Sequence, residues 1–125
     1  METYHFNVDP VAKPRMTQRD KWKPIVKKYY SYSNFLRLQA NVQGLADLPS
    51  VIESLYIHIK MPKSWSKKKR EALNGKIHEQ TPDLDNILKG IMDSLCKNDK
   101  HVAHIKSGLG KFWAEEGAII ITLNT

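Results

Sequence analysis

Four of the seven aspartates, Asp83, Asp85, Asp93 and Asp99, fall within seventeen residues of a chain that is otherwise basic. Magnesium takes hard oxygen ligands, keeps several waters and is commonly held by one or two carboxylates plus substrate phosphate. Asp83-Leu84-Asp85 is therefore a sufficient nucleus for a phosphate-cleaving metal site. On a regular helix these two acids lie roughly 200° apart around the axis and diverge. They converge only if Asp83 sits at or before the helix start, where both also meet the positive end of the helix dipole. Lys89 lies one turn beyond Asp85 on the same face, within reach of a carboxylate or a scissile phosphate. The same spacing also suits an ordinary i, i+4 ladder of Asp85, Lys89 and Asp93 on a solvated helix, and the residues alone leave both readings open.

The surrounding charge favours a phosphate partner. Twenty Lys and Arg against thirteen Asp and Glu give a net charge of +7, the balance of a protein that meets polyphosphate. Lys13, Arg15, Arg19, Lys21, Lys23, Lys27 and Lys28 crowd one stretch that holds a single acid, Asp20, and Lys63 with Lys67-Lys68-Lys69-Arg70 repeats the pattern. Such runs are often no more than solvated faces; beside a metal cluster they become phosphate contacts. Trp22 and the Tyr29-Tyr30-Ser31-Tyr32 run could stack on exposed bases or pack internally.

The elements that must position these groups follow from periodicity. Tyr4, Phe6 and Val8 alternate with polar residues, predicting a strand over 3–8. Pro10, Pro14 and Pro24, set before and among the basic residues, make 11–30 read as an extended arm or loop. Ser33 caps an expected helix through Phe35, Leu36, Leu38, Val42 and Leu45, with Pro49 beyond its end. Val51, Leu55, Ile57 and Ile59 predict a second strand, and Trp65–Leu73 a short helix after Ser64, stopped by Asn74-Gly75. Thr81-Pro82 predicts a helix start with a hydroxyl cap and proline in the first position. Leu84, Ile87, Leu88, Ile91, Met92 and Leu95 then form the apolar stripe of a helix packed on a core. Strands are expected at 102–105 and 118–123, joined by a turn near Gly108, Gly110 or Gly117. The whole reads as an α+β fold, a small mixed β-sheet with two to three helices, in a single domain spanning 1–125.

Other chemistries recede. His78, Cys96, His101 and His104 lack the paired spacing of a zinc site, and the lone cysteine cannot close an intramolecular disulfide. No glycine-rich phosphate loop or Gly-x-Ser-x-Gly elbow is present, so a nucleotide cofactor is not expected. Neither a secretory signal nor an apolar run of about 20 residues occurs, so a cytoplasmic protein without a membrane partner is expected.

Pro82-Asp83-Leu84-Asp85-Asn86-Ile87-Leu88-Lys89, then Asp93-Ser94-Leu95 and Asn98-Asp99-Lys100-His101-Val102, resembles the signature of the RusA-type Holliday-junction resolvases. In that family an Asp-Leu-Asp-Asn run opens a helix, a lysine lies one turn on, and another aspartate follows the helix just before a strand. Pro10-Val11-Ala12-Lys13-Pro14-Arg15 resembles the family's proline-rich basic segment after its first strand, and Lys111-Phe112-Trp113 with the closing strand also fits. Asn98 and Thr81 stand where many relatives carry an acid and a lysine.

The resemblance implies that Asp83, Asp85 and Asp99 bind Mg2+ or Mn2+ and that Lys89 is the catalytic lysine. It further implies a homodimer that cuts two strands of a four-way junction symmetrically, in recombination and repair, leaving a 5′-phosphate and a 3′-hydroxyl. The expected DNA contacts are Lys13, Arg15, Arg19, Lys67, Lys68, Lys69, Arg70 and Lys111. Two alternatives remain at this point: a non-catalytic basic nucleic-acid-binding protein whose aspartates merely cap a helix, and a flap or branched-DNA nuclease.

Overall fold

The computed structural model describes residues 1–15, 22–97 and 102–124. Arg19, Asn98, Asp99 and His101, on which some expectations rest, lie outside the described residues. In chain order the elements are β1 (Glu2–Phe6), α1 (Pro24–Gln43), β2 (Val51–Lys60), α2 (Lys67–Leu73), α3 (Leu84–Leu95), β3 (His104–Ala114) and β4 (Ala118–Leu123). Among the described residues this is an α+β fold with three helices and a mixed four-stranded sheet. The chain forms two compact units, one of Met1–Pro10, Val51–Thr81 and His104–Thr125, the other of Val11–Ser50 and Pro82–Ala103.

The first unit is built on the sheet, in the order β1-β4-β2-β3, with β2 parallel to β3 and the other pairs antiparallel. Alternation in β4 puts Ile119, Ile121 and Leu123 on one face. Phe6 and Ile57 lie opposite Ile119, and Tyr4 and Leu55 opposite Ile121. These rows are buried, and each large apolar side chain in them contributes roughly 1.5–3 kcal/mol by leaving water.

The β2 alternation differs from expectation at its start: Ile52 is buried and Val51 is 42% exposed. A register shift between Ile52 and Ser54 accounts for the change of phase. The expected turn at Gly108 or Gly110 is instead strand, since β3 runs through both. A Cβ at Gly108 would lie 2.1 Å from the Tyr56 hydroxyl, and one at Gly110 would lie 3.0 Å from the Phe112 ring. These glycines give room to neighbouring aromatics, and the turn falls at the third expected position, Gly117, over 115–117. Helix α2 begins two residues later than expected, because the Ser66 hydroxyl accepts the Lys69 N–H at 3.2 Å. It ends near Gly75, whose φ of 80° is left-handed.

The second unit pairs α1 with α3. Helix α1 corrects the expectation of an arm up to Tyr30, because Pro24 sits in its first turn, where a missing N–H costs no hydrogen bond. Ser33 is consequently a buried mid-helix residue and no cap. Val26, Tyr29, Tyr32, Ser33, Leu36 and Ala40 form its buried stripe, and Gly44 (φ 84°) closes it with Leu45 N–H bonded to Ala40 O at 2.8 Å.

In α3 the buried set is Ile87, Gly90, Ile91, Ser94 and Leu95, the i, i+3, i+4, i+7, i+8 stripe. Small residues let the helices approach. The Ser94 hydroxyl donates to Gly90 O at 2.7 Å and meets the Ser33 hydroxyl at 2.6 Å, while Arg37 Nε donates to Ser94 O at 3.1 Å. Pro82 precedes the cap instead of occupying the first helical position. Asp83 is still extended (φ −71°, ψ 144°), and its carbonyl accepts the first helical bond, from Ile87 N at 3.1 Å. No helix among the described residues is long and apolar enough to cross a membrane.

Candidate active site

Asp83 is the N-cap residue of α3, the position from which its carboxylate can turn toward that of Asp85 in the first helical turn. Both side chains are exposed. The Asp83 carboxylate makes no capping hydrogen bond, and Asp85 uses only Oδ1, which accepts the Asn86 N–H at 2.9 Å. Anionic groups are favoured at this positive helix end, and the lone pairs that remain are hard oxygen donors. Among the described residues no group of three acids, histidines or cysteines converges. The two carboxylates suit a hard divalent cation that keeps part of its water shell and takes further oxygens from a phosphate.

The ladder reading of α3 does not hold. Asp93 is ion-paired with Lys13 of the segment that follows β1, and Lys89 is exposed and paired with no carboxylate among the described residues. The Lys13 N–H also donates to Asn86 O at 3.1 Å, which lays residues 11–15 along α3. Lys13, Pro14, Arg15, Asn86 and Lys89 line a cleft of about 610 Å³. The structure thus gathers three of the expected cations, Lys13, Arg15 and Lys89, at one place on the helix that carries Asp83 and Asp85. Asn86 and Gly90 were not singled out from sequence. The available signal was a glycine inside a strong helical stripe, which usually has a packing reason.

In the sheet unit, Lys67, Lys68 and Lys69 are exposed on α2, with the Lys69 ammonium 4.2 Å from the centre of the Trp65 ring. Arg70 is held differently, by Glu115 at 2.9 Å and Pro62 O at 3.0 Å. Lys111 donates to His78 Nδ1 at 2.8 Å and to Gln80 O at 2.5 Å, so its ammonium binds the loop after α2. His78 is buried, its ring edge-on to Trp113 at 4.3 Å. A neutral ring accepting at Nδ1 carries its proton on Nε2.

Burial first, and the Lys111 charge second, hold His78 below its ordinary value near 6.5. Burial and His5 act the same way on His58. The unfolded chain therefore binds these protons more readily than the folded one, so their contribution to stability is complete above about pH 6.5 and is lost as pH falls below it. Melting temperature should drop between pH 7 and 5.5. His78→Asn, which keeps an acceptor facing Lys111 but cannot titrate, should flatten that drop, and an unchanged slope would remove His78 as its source.

No curated protein matches the chain. The family model for endodeoxyribonuclease RusA matches residues 7–124. That span takes in the arm, the Asp-Leu-Asp-Asn helix start and the closing strand, and on this evidence the chain belongs to the RusA endodeoxyribonuclease family.

Proposed function

We propose that the protein is a divalent-metal-dependent endonuclease that resolves four-way DNA junctions by symmetric cleavage, acting as a homodimer. One observation carries this reading: among the described residues two carboxylates without an ion pair open α3, with Lys89, likewise without an ion pair, one turn beyond Asp85 and a cleft bearing Arg15 beside it. A structural ladder would have neutralised these groups within the helix. Asp83 and Asp85 would hold Mg2+ or Mn2+, with Asp99 as the third acid by family resemblance. The ion would supply an activated water and neutralise charge on the phosphate. Lys89 would contribute a preorganised positive charge where negative charge grows on the phosphoryl oxygens, and Arg15 would hold the phosphate chain in place.

The test is the chemistry of the ends. With magnesium, a labelled junction should yield nicks bearing a 5′-phosphate and a 3′-hydroxyl that DNA ligase reseals, and light scattering should give the mass of two chains. A junction bound but left intact would reduce the protein to a binder.

Helix α2 gives a separate expectation. It buries no residue, so alanines at Lys67, Lys68 and Lys69 should preserve the fold. If these lysines touch phosphates, the triple variant should bind every DNA structure more weakly, and the slope of log affinity against log salt should fall by about 0.9 per lost contact. An unchanged slope would return α2 to a solvated face.

A further inference from the structure

Lys13 contributes two hydrogen bonds to the second unit: its N–H donates to Asn86 O at 3.1 Å, and its ammonium binds Asp93. The two side chains are only 26% and 27% exposed, so the pair is partly shielded from water. The hydrogen bond to Asp93 raises the Lys13 pKa against the opposing effect of burial, which keeps the ammonium charged and committed to that carboxylate. The helix is bare beneath this segment. A Cβ at Gly90 would lie 3.1 Å from the Tyr29 ring, 3.6 Å from Val11 O and 3.7 Å from Lys13 Cβ. A glycine inside a helix is less favourable than alanine, and here it coincides with the place where the arm and Tyr29 close on α3.

We infer that Lys13 and Asp93 form a clasp that fixes the arm on α3, so that both are positioning residues and Arg15 and Lys89 are the cations that meet phosphate in the cleft. The assignment rests on the nuclease reading for its purpose. The clasp acts twice. It places Arg15, two residues after Lys13, in the lining of the cleft that Lys89 also lines. It also occupies Asp93, which lies one turn after Lys89 at the i, i+4 spacing of a helical ion pair, and so leaves the Lys89 charge available to a substrate. Lys13 also lines the cleft, but its charge is already answered by Asp93.

The test separates a positioning lysine from a phosphate ligand by salt dependence and by amide exchange, neither of which requires turnover. Lys13→Gln and Asp93→Asn should each speed hydrogen exchange at the residue 13 amide by about fivefold, the scale of losing one partly shielded ion pair. Lys13→Arg should retain protection. Junction affinity should weaken in Lys13→Gln with the salt slope unchanged, whereas Arg15→Ala should lower the slope by about 0.9. A slope reduced by that amount in Lys13→Gln, with the amide still protected, would make Lys13 a phosphate ligand and overturn the assignment. If Asp93→Asn does not fold, Lys13→Gln decides alone. Failure of the nuclease reading is distinguishable: wild-type protein would then leave junctions intact, while exchange and slope still report on the clasp.

Discussion

Asp85→Asn should abolish junction cleavage while leaving junction binding intact or tighter. The side chain is exposed, and its Oδ1 accepts only the Asn86 N–H, a role that the asparagine carbonyl oxygen can repeat. The loss to the helix is confined to one favourable charge at its positive end, about 0.3–1 kcal/mol. What disappears is an anionic oxygen for a hard cation, and a neutral amide is a poor substitute where few protein ligands hold the ion. Phosphate repulsion falls at the same time, which is why binding should not suffer. Single-turnover cleavage at saturating magnesium, with direct junction binding and a melting curve, checks all three parts. Retained turnover would remove Asp85 from the site.

Lys89→Ala carries the second large expectation. Lys89 is exposed and makes no ion pair among the described residues, so its removal should shift melting little. If its charge faces the reacting phosphate, single-turnover cleavage should fall by roughly a hundredfold or more, the scale of losing one preorganised transition-state contact. Junction affinity should change far less, because other basic residues share ground-state binding. Lys89→Arg probes geometry: a solvated helical position accepts arginine, whereas a site built for a compact ammonium should not accept a planar fork. Near-normal cleavage by Lys89→Ala would exclude the catalytic role.

Local pattern reached α3 because everything that defines it lies within one stretch of chain. Convergence of Asp83 and Asp85 requires Asp83 at the helix boundary, and it is the N-cap. The apolar stripe from Ile87 to Leu95 reads directly as burial. The proline rule misled at α1, where Pro24 was taken as a breaker although proline is favoured in a first turn. Glycines misled at β3, because a strand glycine that makes room for Tyr56 looks, in sequence, like a turn glycine.

Partners distant in sequence stayed out of reach altogether. Lys13 and Asp93 are separated by 80 residues, and no spacing rule links them. Sequence alone placed Arg70 and Lys111 among the expected DNA contacts without showing what else they touch. In the structure Lys111 ties the His78–Gln80 loop and Arg70 holds Glu115, partners that no local spacing rule supplies.

We propose that this chain cuts branched DNA with a metal held at the start of α3. The most direct test is a panel of end-labelled four-way junction, flap and linear duplex, each incubated with purified protein with and without magnesium. Paired, symmetric cuts in opposing arms of the junction are expected, with little cutting of flap or duplex and no product without metal. Intact junction in the presence of magnesium, or equal cutting of all three substrates, would contradict it.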